Sequence, residues 1–384
     1  MRLSIAVLSL STTLFAQSPA NILGMGNETD PSDGPSRGMG EAGEALRSDR
    51  SWDPRLEARS AFATQTALEV QLDPSIDMIS DDQTSNSVGG GGLPRVSLSI
   101  PMGRFGHLGM GYWQRFDKSF EWTSPTDSSV EAIGQGGAFE GDLSYGYALP
   151  WLRGLALGVT YHRILGEDRL VRNESWQAAD EGLPAVFSDT LGNSYWGSYW
   201  TGSVYFTRGP LDLGAWADLR GQATKTPYDG GTSQQFEQPQ PSTMELPRSA
   251  GFAAAYRFSE RQAVVADLEW TTWQATVSGA TDRWKGGVGW QSQGAGDRFD
   301  DFWKRASWRA GAYGIVGGDQ YDLTEAATLG LGFPLGMQGA VDLSLHLGQN
   351  EVDNGGPKLK DTFVQLYVVL SGASSWGESL RSHK

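Results

Sequence analysis

The chain has 384 residues, no cysteine and a formal net charge of −15. This acidity argues against nucleic acid or an anionic membrane surface as a partner. The absence of cysteine excludes disulfides, thiol catalysis, cysteine metal sites and a lipoprotein anchor. Trp (15) and Gly (51) exceed their ordinary shares, which suits a barrel wall with aromatic residues at its rims and glycine where it curves.

The first 20 residues have the pattern of a secretory signal peptide. Arg2 supplies the positive start, residues 3–16 form an apolar stretch, and Ala16 or Ala20 offers a small residue for cleavage. The stretch is too short and too rich in serine and threonine to span a membrane as a helix. No later window offers the roughly 20 apolar residues that a helical span requires. The sequence therefore predicts an exported protein without a transmembrane helix.

Residues 21–60 are rich in Gly, Ser, Asp and Pro and show neither the helical nor the strand period. Such a segment could be a plug inside a lumen or a disordered leader. A wide barrel left open would leak, and this is the segment free to fill it. We therefore predict that residues 21–60 form an N-terminal hatch packed inside the barrel.

From residue 61 onward, apolar and polar residues alternate in short segments. In 341–347, the odd positions are aliphatic and the even positions polar, so a strand there has one apolar and one polar face. The segments 155–162 and 211–220 follow the same rule. Alternation alone fits a soluble sandwich or barrel equally well, but the export signal and the composition favour a membrane barrel.

Counting these segments, with 284–290 filling a gap late in the chain, predicts fourteen strands. The fold prediction is all-β: a transmembrane antiparallel β-barrel over 61–371, followed by a periplasmic tail at 372–384. Through the first nine strands, short connections alternate with long ones, as expected when short turns face the periplasm and long loops face outward. The pattern weakens after that, since 291–303 would be a long periplasmic connection. The predicted strands are 61–72, 94–101, 106–118, 139–149, 154–166, 195–207, 211–222, 247–258, 262–274, 284–290, 304–316, 326–334, 339–349 and 361–371. The predicted long loops among the first nine strands are 73–93, 119–138, 167–194 and 223–246.

Charged residues within the predicted strands lie consistently on the polar face. A lipid-facing Arg near the membrane midplane costs on the order of 2–4 kcal/mol, so these side chains are expected to face the lumen. Some aromatic residues share that face. The residues predicted to line the lumen are Trp113, Arg115, Trp216, Arg220, Arg257, Asp267, Glu269 and Arg309.

The predicted hairpin over 247–274 also allows a prediction of register. Directly opposed residues share a face, and the apolar residues are even-numbered in both strands, so the numbers of opposed residues sum to an even value. A three-residue loop at 260–262 pairs 258 with 264 and 255 with 267. Arg257 then lies diagonal to Asp267, near enough for a charge pair.

Several segments carry a family resemblance when they are taken in order along the chain. They are SRGMGEAG at 36–43, LPRSAGF at 246–252, ADLEWTTW at 266–273, FWKR and WRAG between 302 and 311, TLGLGFPL at 328–335, and KDTF at 360–363 with Trp376. In this order they resemble the FadL-like outer-membrane transport family (OMPP1/FadL/TodX), especially its divergent Bacteroidetes-type members. The resemblance implies a fourteen-stranded barrel with an N-terminal hatch and passive uptake of hydrophobic compounds.

The chain departs from that family in two places. Members usually carry Asn-Pro-Ala after the glycine-rich start, where this chain has Asp53-Pro54-Arg55. The chain also continues for eight residues after Trp376, so its last strand does not end in a terminal aromatic residue. The first departure affects the expected geometry of the hatch.

The sequence offers no motif for catalysis, and we predict neither an enzyme nor a metal or cofactor. The four histidines lack metal-ligand spacing. His162 and His346 fall on polar strand faces and are interpreted as solvated residues of the lumen. Glu245, Asp267 and Glu269 could suggest paired carboxylates for hydrolysis, but they have no nucleophile motif beside them.

The favoured function is an outer-membrane channel of a Gram-negative bacterium for passive uptake of hydrophobic or amphipathic small molecules such as long-chain fatty acids. The expected partners are outer-membrane lipid, a hydrophobic ligand and the barrel-assembly machinery, with no nucleic acid. The alternative is a non-transport barrel that acts as a binding scaffold in a secretion or envelope complex. A lumen of mixed charged and aromatic character suits an amphipathic ligand, and a structural barrel would tolerate it as well.

Overall fold

The computed structural model describes residues 27–80, 85–90, 95–123, 130–177, 184–229, 240–273, 281–294, 301–318, 322–335, 339–352 and 359–374. The predicted signal peptide at 1–20 and most of the predicted tail at 372–384 lie outside these residues. The elements, in chain order, are β1 (Asn27–Glu28), α1 (Gly34–Arg37), α2 (Glu57–Ser60), β2 (Thr66–Leu72), β3 (Ser75–Ser80), β4 (Ser85–Gly90), β5 (Arg95–Pro101), a 3-10 turn (Gly103–Phe105), β6 (His107–Asp117), β7 (Phe120–Thr123), β8 (Val130–Ala148), β9 (Leu155–Gln177), β10 (Pro184–Arg208), β11 (Leu211–Asp218), β12 (Gln222–Asp229), β13 (Ser242–Glu245), β14 (Arg248–Arg257), β15 (Gln262–Thr272), β16 (Arg283–Ser292), α3 (Phe302–Arg305), β17 (Ser307–Val316), β18 (Leu323–Leu335), β19 (Gly339–Val352) and β20 (Leu359–Ser374).

The described strands form one closed antiparallel barrel of fourteen wall strands. Five wall strands consist of two consecutive segments each: β2 with β3, β4 with β5, β6 with β7, β11 with β12, and β13 with β14. The ring closes where β20 pairs with both segments of the first wall strand. The predicted fold class and the count of fourteen strands are confirmed. No helix in the described part of the chain is long and apolar enough to span a membrane.

Alternate side chains along the wall strands enter two different environments. In β14 and β15, the even-numbered Phe252, Tyr256 and Leu268 are about half exposed (49%, 48% and 50%), whereas the odd-numbered Ala253 and Glu269 are buried. In a closed barrel the exposed apolar set forms the outer surface, and the buried set faces the lumen. An apolar exterior of this kind is the surface that an outer-membrane barrel presents to lipid.

Several strands extend further than the alternation predicted. β9 and β10 have 23 and 25 residues, so most of the loop predicted at 167–194 is strand. β3, β4 and part of β8 likewise occupy predicted loops. In β9, polar residues occupy both faces at 167–169, which interrupts the apolar stripe, yet the backbone ladder continues through pairs such as Asp168 with Asn193. Backbone hydrogen bonds sustain the strand without an apolar face.

The hairpin of β14 and β15 has the predicted parity, but the predicted register was wrong by two residues. Asp267 lies opposite Ala253 rather than residue 255. The loop has three residues, as predicted, but it is Ser259 to Arg261. Ser259 Oγ fixes this loop by accepting hydrogen bonds from the N–H groups of Arg261 (3.3 Å) and Gln262 (3.0 Å).

Candidate functional site

Residues 30–60 cross the inside of the barrel. α1 contacts β18, β19 and β20, while α2 contacts β8, β9 and β10 on the opposite wall. Apolar residues of the segment are buried, and Met39 and Leu56 are both 0% exposed. A segment that touches opposite walls with buried side chains occupies the lumen. We call residues 30–60 the lumen segment.

The two helical turns of the lumen segment are joined to each other. Asp33 caps α1 by accepting a hydrogen bond from the Ser36 N–H (2.9 Å), and its other oxygen accepts one from Arg59 of α2 (3.4 Å). Arg59 also donates to the Leu46 carbonyl (3.0 Å). Burial alone would raise the pKa of Asp33, but Arg59 and the Ser36 cap outweigh it and lower the pKa.

Polar residues of the wall bind the backbone of the lumen segment. Asp267 Oδ2 accepts hydrogen bonds from the N–H groups of Gly43 (2.8 Å) and Glu44 (3.0 Å). His346 Nε2 is 2.8 Å from the Arg37 carbonyl oxygen and donates to it. The interpretation of His346 as solvated was wrong, because the side chain is fully buried between the lumen segment and the rings of Tyr313 and Tyr367.

Arg55, the residue at which the chain departs from the family pattern, is the centre of an ion network. Its guanidinium lies 2.8 Å from Glu269 of the wall, 3.1 Å from Asp30 and 3.3 Å from Asp53, and it also contacts Glu44. Four carboxylates therefore surround one cation. Such a buried cation is costly to remove, because the carboxylates would lose their counter-charge.

Lys285 of β16 is a second cation in the network and contacts both Asp30 and Glu41. Asp30 thus lies between Arg55 and Lys285. Burial alone would raise the pKa of Asp30, but the two cations outweigh it and hold the pKa well below its usual range. Glu44 differs: burial, only partly opposed by Arg55, raises its pKa well above the usual value.

Glycine allows the lumen segment to lie directly against the wall. Gly40 has a φ of +71°, and a Cβ there would come within 2.4 Å of the Ala312 carbonyl oxygen. On the facing strand β17, a Cβ on Gly311 would come within 2.2 Å of the Met39 carbonyl carbon. Backbone meets backbone at this point, so no side chain fits between the two surfaces.

A cluster of aromatic and aliphatic side chains crosses the lumen beyond the ion network. We call it the aromatic cluster; its buried members are Phe116, Ala138, Ile164, Tyr195, Tyr199, Ala223, Leu246 and Trp273. Phe116 lies in the third wall strand and Trp273 follows the ninth, yet their ring centroids are 6.0 Å apart in an edge-to-face contact. Side chains from distant parts of the wall therefore meet and narrow the lumen.

The wall has a seam beside this cluster. Pairing between β5 and β6 ends at Arg95 and Trp113. Beyond that point, Phe116 and Asp117 of β6 pair instead with β1, the short strand that precedes the lumen segment. Within the described residues, β1 thus takes the place of the second wall strand along this edge. Phe116 belongs both to the seam and to the aromatic cluster.

Seven of the eight residues predicted to line the lumen have partners on the inner side of the wall. Trp113, Arg115, Trp216, Glu269 and Arg309 are at most 8% exposed. Asp267 binds the lumen segment, as described above. Arg257 pairs with Asp212 of β11 rather than with Asp267, because of the register.

Arg220 lies elsewhere. It falls in the break between β11 and β12, its side chain is 63% exposed, and it pairs with Glu245. The buried residues are even-numbered up to Trp216 but odd-numbered at Gly221 and Ala223. A break that shifts parity in this way reverses the faces of all the residues that follow it. Strict alternation through the break therefore predicted the wrong side for Arg220.

Sequence reasoning missed the charged residues that the lumen segment contributes, among them Asp30, Glu41, Glu44 and Arg55. They follow no period, so no pattern relates them to the wall. The one signal was the charge content of 21–60 itself, since a segment of this kind inside a barrel needs partners of opposite charge.

No protein-family model and no curated protein matches the sequence. Solved structures do match. The chain has the fold of FadL-type channels. A FadL homologue of Pseudomonas aeruginosa is 13% identical with a TM-score of 0.62, covering 91% of this chain and 100% of that one. The toluene transporter TodX of Pseudomonas putida is 14% identical, with a TM-score of 0.60 and coverage of 91% and 99%. The CymD monoaromatic hydrocarbon channel is 13% identical, with a TM-score of 0.57 and coverage of 91% and 98%.

Proposed function

We propose that this protein is an outer-membrane channel for passive uptake of hydrophobic or amphipathic small molecules in a Gram-negative bacterium. The aromatic cluster carries the proposal, because it offers an apolar environment in a lumen that also holds the charged network around Arg55. An apolar ligand is stabilised there by burial, at about 25 cal/mol per Å² of its surface. The fold shared with a toluene transporter and a monoaromatic hydrocarbon channel supports the same class of substrate.

The seam suggests a route out of the aromatic cluster. In the part of the chain that the structure describes, β1 pairs with the edge of β6 at two positions, Asn27 with Asp117 and Glu28 with Phe116. Release of this strand would free the edge of β6 next to Phe116. A hydrophobic ligand could then leave sideways into lipid instead of crossing the charged lumen segment. On this proposal the lumen segment is the hatch that closes the direct path along the barrel axis.

Uptake tests the proposal. We expect a strain that lacks the protein to take up labelled toluene and a labelled long-chain fatty acid several-fold more slowly than the complemented strain, for at least one of the two probes. The substitution Ile164→Asn, which puts a polar side chain in the aromatic cluster, is expected to reduce uptake by the complemented strain to that of the strain that lacks the protein. The matched control is Leu165→Asn, which puts the same side chain on the exposed outer face of β9; barrel folding is checked for both by heat-modifiable gel mobility.

Equal uptake by the two strains across both probes would contradict a channel for this class of molecule. A partner protein that co-purifies in stoichiometric amount, together with unchanged uptake, would favour the scaffold alternative instead.

A further inference from the structure

Three side chains of metal-ligand type meet on the lumen face of β8 and β9. Glu140 and Asp142 are two residues apart on β8 and share a face, and His162 lies directly opposite Asp142 on β9. The three are 0%, 5% and 1% exposed. One ligand atom from each lies within 4.8 Å of the other two. The interpretation of His162 as a solvated histidine was therefore wrong.

The hydrogen bonds around His162 turn its Nδ1 toward the two carboxylates. Thr201 Oγ donates its only hydrogen to Asp218 (2.6 Å), so it accepts from His162 Nε2 (2.8 Å). Nε2 therefore carries a hydrogen, and in neutral His162 the lone pair is on Nδ1. That nitrogen lies 2.8 Å from Glu140 Oε1 and 2.7 Å from Asp142 Oδ1. The three atoms therefore converge on one point, where either a proton on Nδ1 or a bound metal ion joins them.

Each of the three ligands is also held from behind by another residue. Arg115 donates to Glu140 Oε2 (2.6 Å), and Trp113 Nε1 donates to Asp142 Oδ2 (3.0 Å). Together with the bond from His162 to Thr201, these contacts hold the outer atom of every ligand, so that Glu140 Oε1, Asp142 Oδ1 and His162 Nδ1 point at a common centre. Glu140 Oε1 also accepts from the Tyr199 hydroxyl (2.9 Å), and its second lone pair remains for a metal ion. Metal ligands in proteins are characteristically oriented by such outer hydrogen bonds.

We propose that Glu140, Asp142 and His162 form a binding site for a divalent transition-metal ion, of which Zn²⁺ is the best match. One imidazole and two carboxylates suit Zn²⁺, whereas Ca²⁺ prefers six to eight oxygen ligands. The observed nitrogen–oxygen separations are those of a hydrogen bond. Ligands in a tetrahedral zinc site, with bonds of roughly 2.0–2.1 Å, are about 3.3 Å apart. Side-chain rotations that move the ligand atoms apart by about half an ångström convert the hydrogen-bonded arrangement into the zinc-binding one.

The site adjoins the aromatic cluster. The ring of Tyr199, a member of that cluster, stacks on His162 with centroids 4.2 Å apart and 8° between the ring planes. The Tyr199 hydroxyl also donates to Glu140 (2.9 Å). A bound ion would tie β8 to β9 and fix the position of Tyr199, so metal binding would stiffen the wall of the proposed ligand site.

Metal titration of the purified full-length protein in detergent tests the site. After treatment with a chelator, Co²⁺ and Zn²⁺ are added separately, with Co²⁺ binding followed by its visible absorption and Zn²⁺ binding by calorimetry. We expect one tight site per chain, and a loss of affinity of at least 100-fold in His162→Gln and in Asp142→Asn. Thr201→Val keeps all three ligands but frees Nε2, so it should weaken binding by about 10–100-fold, the usual effect of losing an outer partner.

The matched control is His346→Gln, which replaces another fully buried lumenal histidine and should bind as the unchanged protein does. Heat-modifiable gel mobility shows whether each variant barrel is folded. If His162→Gln does not fold, Asp142→Asn takes its place as the test variant. The proposal is overturned if no stoichiometric ion binds, or if a folded His162→Gln or Asp142→Asn protein binds as tightly as the unchanged one. Equal loss in His346→Gln would place the ion elsewhere and overturn it as well.

Discussion

At the scale of single residues, the ion network depends most on Arg55. Replacing it by alanine leaves Asp30, Glu44 and Glu269 buried without this cation, and removing one partner of a buried ion pair typically costs about 3–5 kcal/mol. We therefore expect Arg55→Ala to release the lumen segment from the wall. Protease cleavage within residues 30–60 and single-channel conductance should both increase.

The matched control for Arg55 is Arg220→Ala. Arg220 also pairs with a glutamate, but its side chain is 63% exposed, and such surface pairs are worth about 0–1 kcal/mol. Protease sensitivity and conductance should stay as they are in the unchanged protein. If Arg55→Ala behaves like Arg220→Ala, the network does not hold the lumen segment in place.

What the sequence could predict at this scale was the face of a residue, and what it could not predict was the partner. Asp267, Glu269 and Arg309 all lie on the face that period 2 assigns to them. Their partners come from a segment without a period or from strands whose register was unknown. His162 and His346 show the consequence: the polar face was identified, but burial by other residues was not.

At the scale of elements, the strands with an apolar stripe were predictable, and the polar extensions of β9 and β10 were not. The hairpin of β14 and β15 shows the limit for register. Parity follows from the alternation of the side chains, whereas the register depends on where the loop begins. Ser259 decides that through two hydrogen bonds that no hydrophobic pattern reveals.

The packing of the lumen segment on β17 gives a test at the same scale. Gly40→Ala places a side chain at a φ of +71°, which costs about 1–3 kcal/mol for a residue other than glycine, and drives its Cβ against the Ala312 carbonyl oxygen. We expect hydrogen exchange within residues 30–60 to accelerate by at least tenfold while the wall strands stay protected.

Gly202→Ala is the control for this substitution, because a Cβ at Gly202 in β10 meets nothing within 4 Å. Its effect on stability should stay within about 0.5 kcal/mol, with exchange in the lumen segment unchanged. Equal exchange in the two variants would show that the close approach at Gly40 is not needed for packing.

At the scale of the whole molecule, the closed barrel, its charged lumen segment and the seam act together. On the proposed function, the charged lumen segment closes the path along the barrel axis to an apolar ligand. The outer surface of the barrel faces lipid, where such a ligand is soluble. In the described part of the wall, the seam at β1 lies beside the aromatic cluster, because Phe116 belongs to both. Transport by the proposed route therefore requires β1 to leave the edge of β6.

A disulfide can test that requirement, since the chain has no cysteine of its own. Asn27 and Asp117 are directly opposed, and opposed Cα atoms in antiparallel strands lie about 4.5–5.5 Å apart, within the range for a disulfide. We expect the oxidised double variant Asn27→Cys/Asp117→Cys to take up toluene several-fold more slowly, and a reductant to restore uptake.

The control is Leu329→Cys/Leu345→Cys, which joins β18 and β19 at an opposed pair in the continuous wall and should leave uptake unchanged in both redox states. Undiminished uptake by the locked seam, with cross-linking verified by mass spectrometry, would mean that the ligand leaves the barrel by another path.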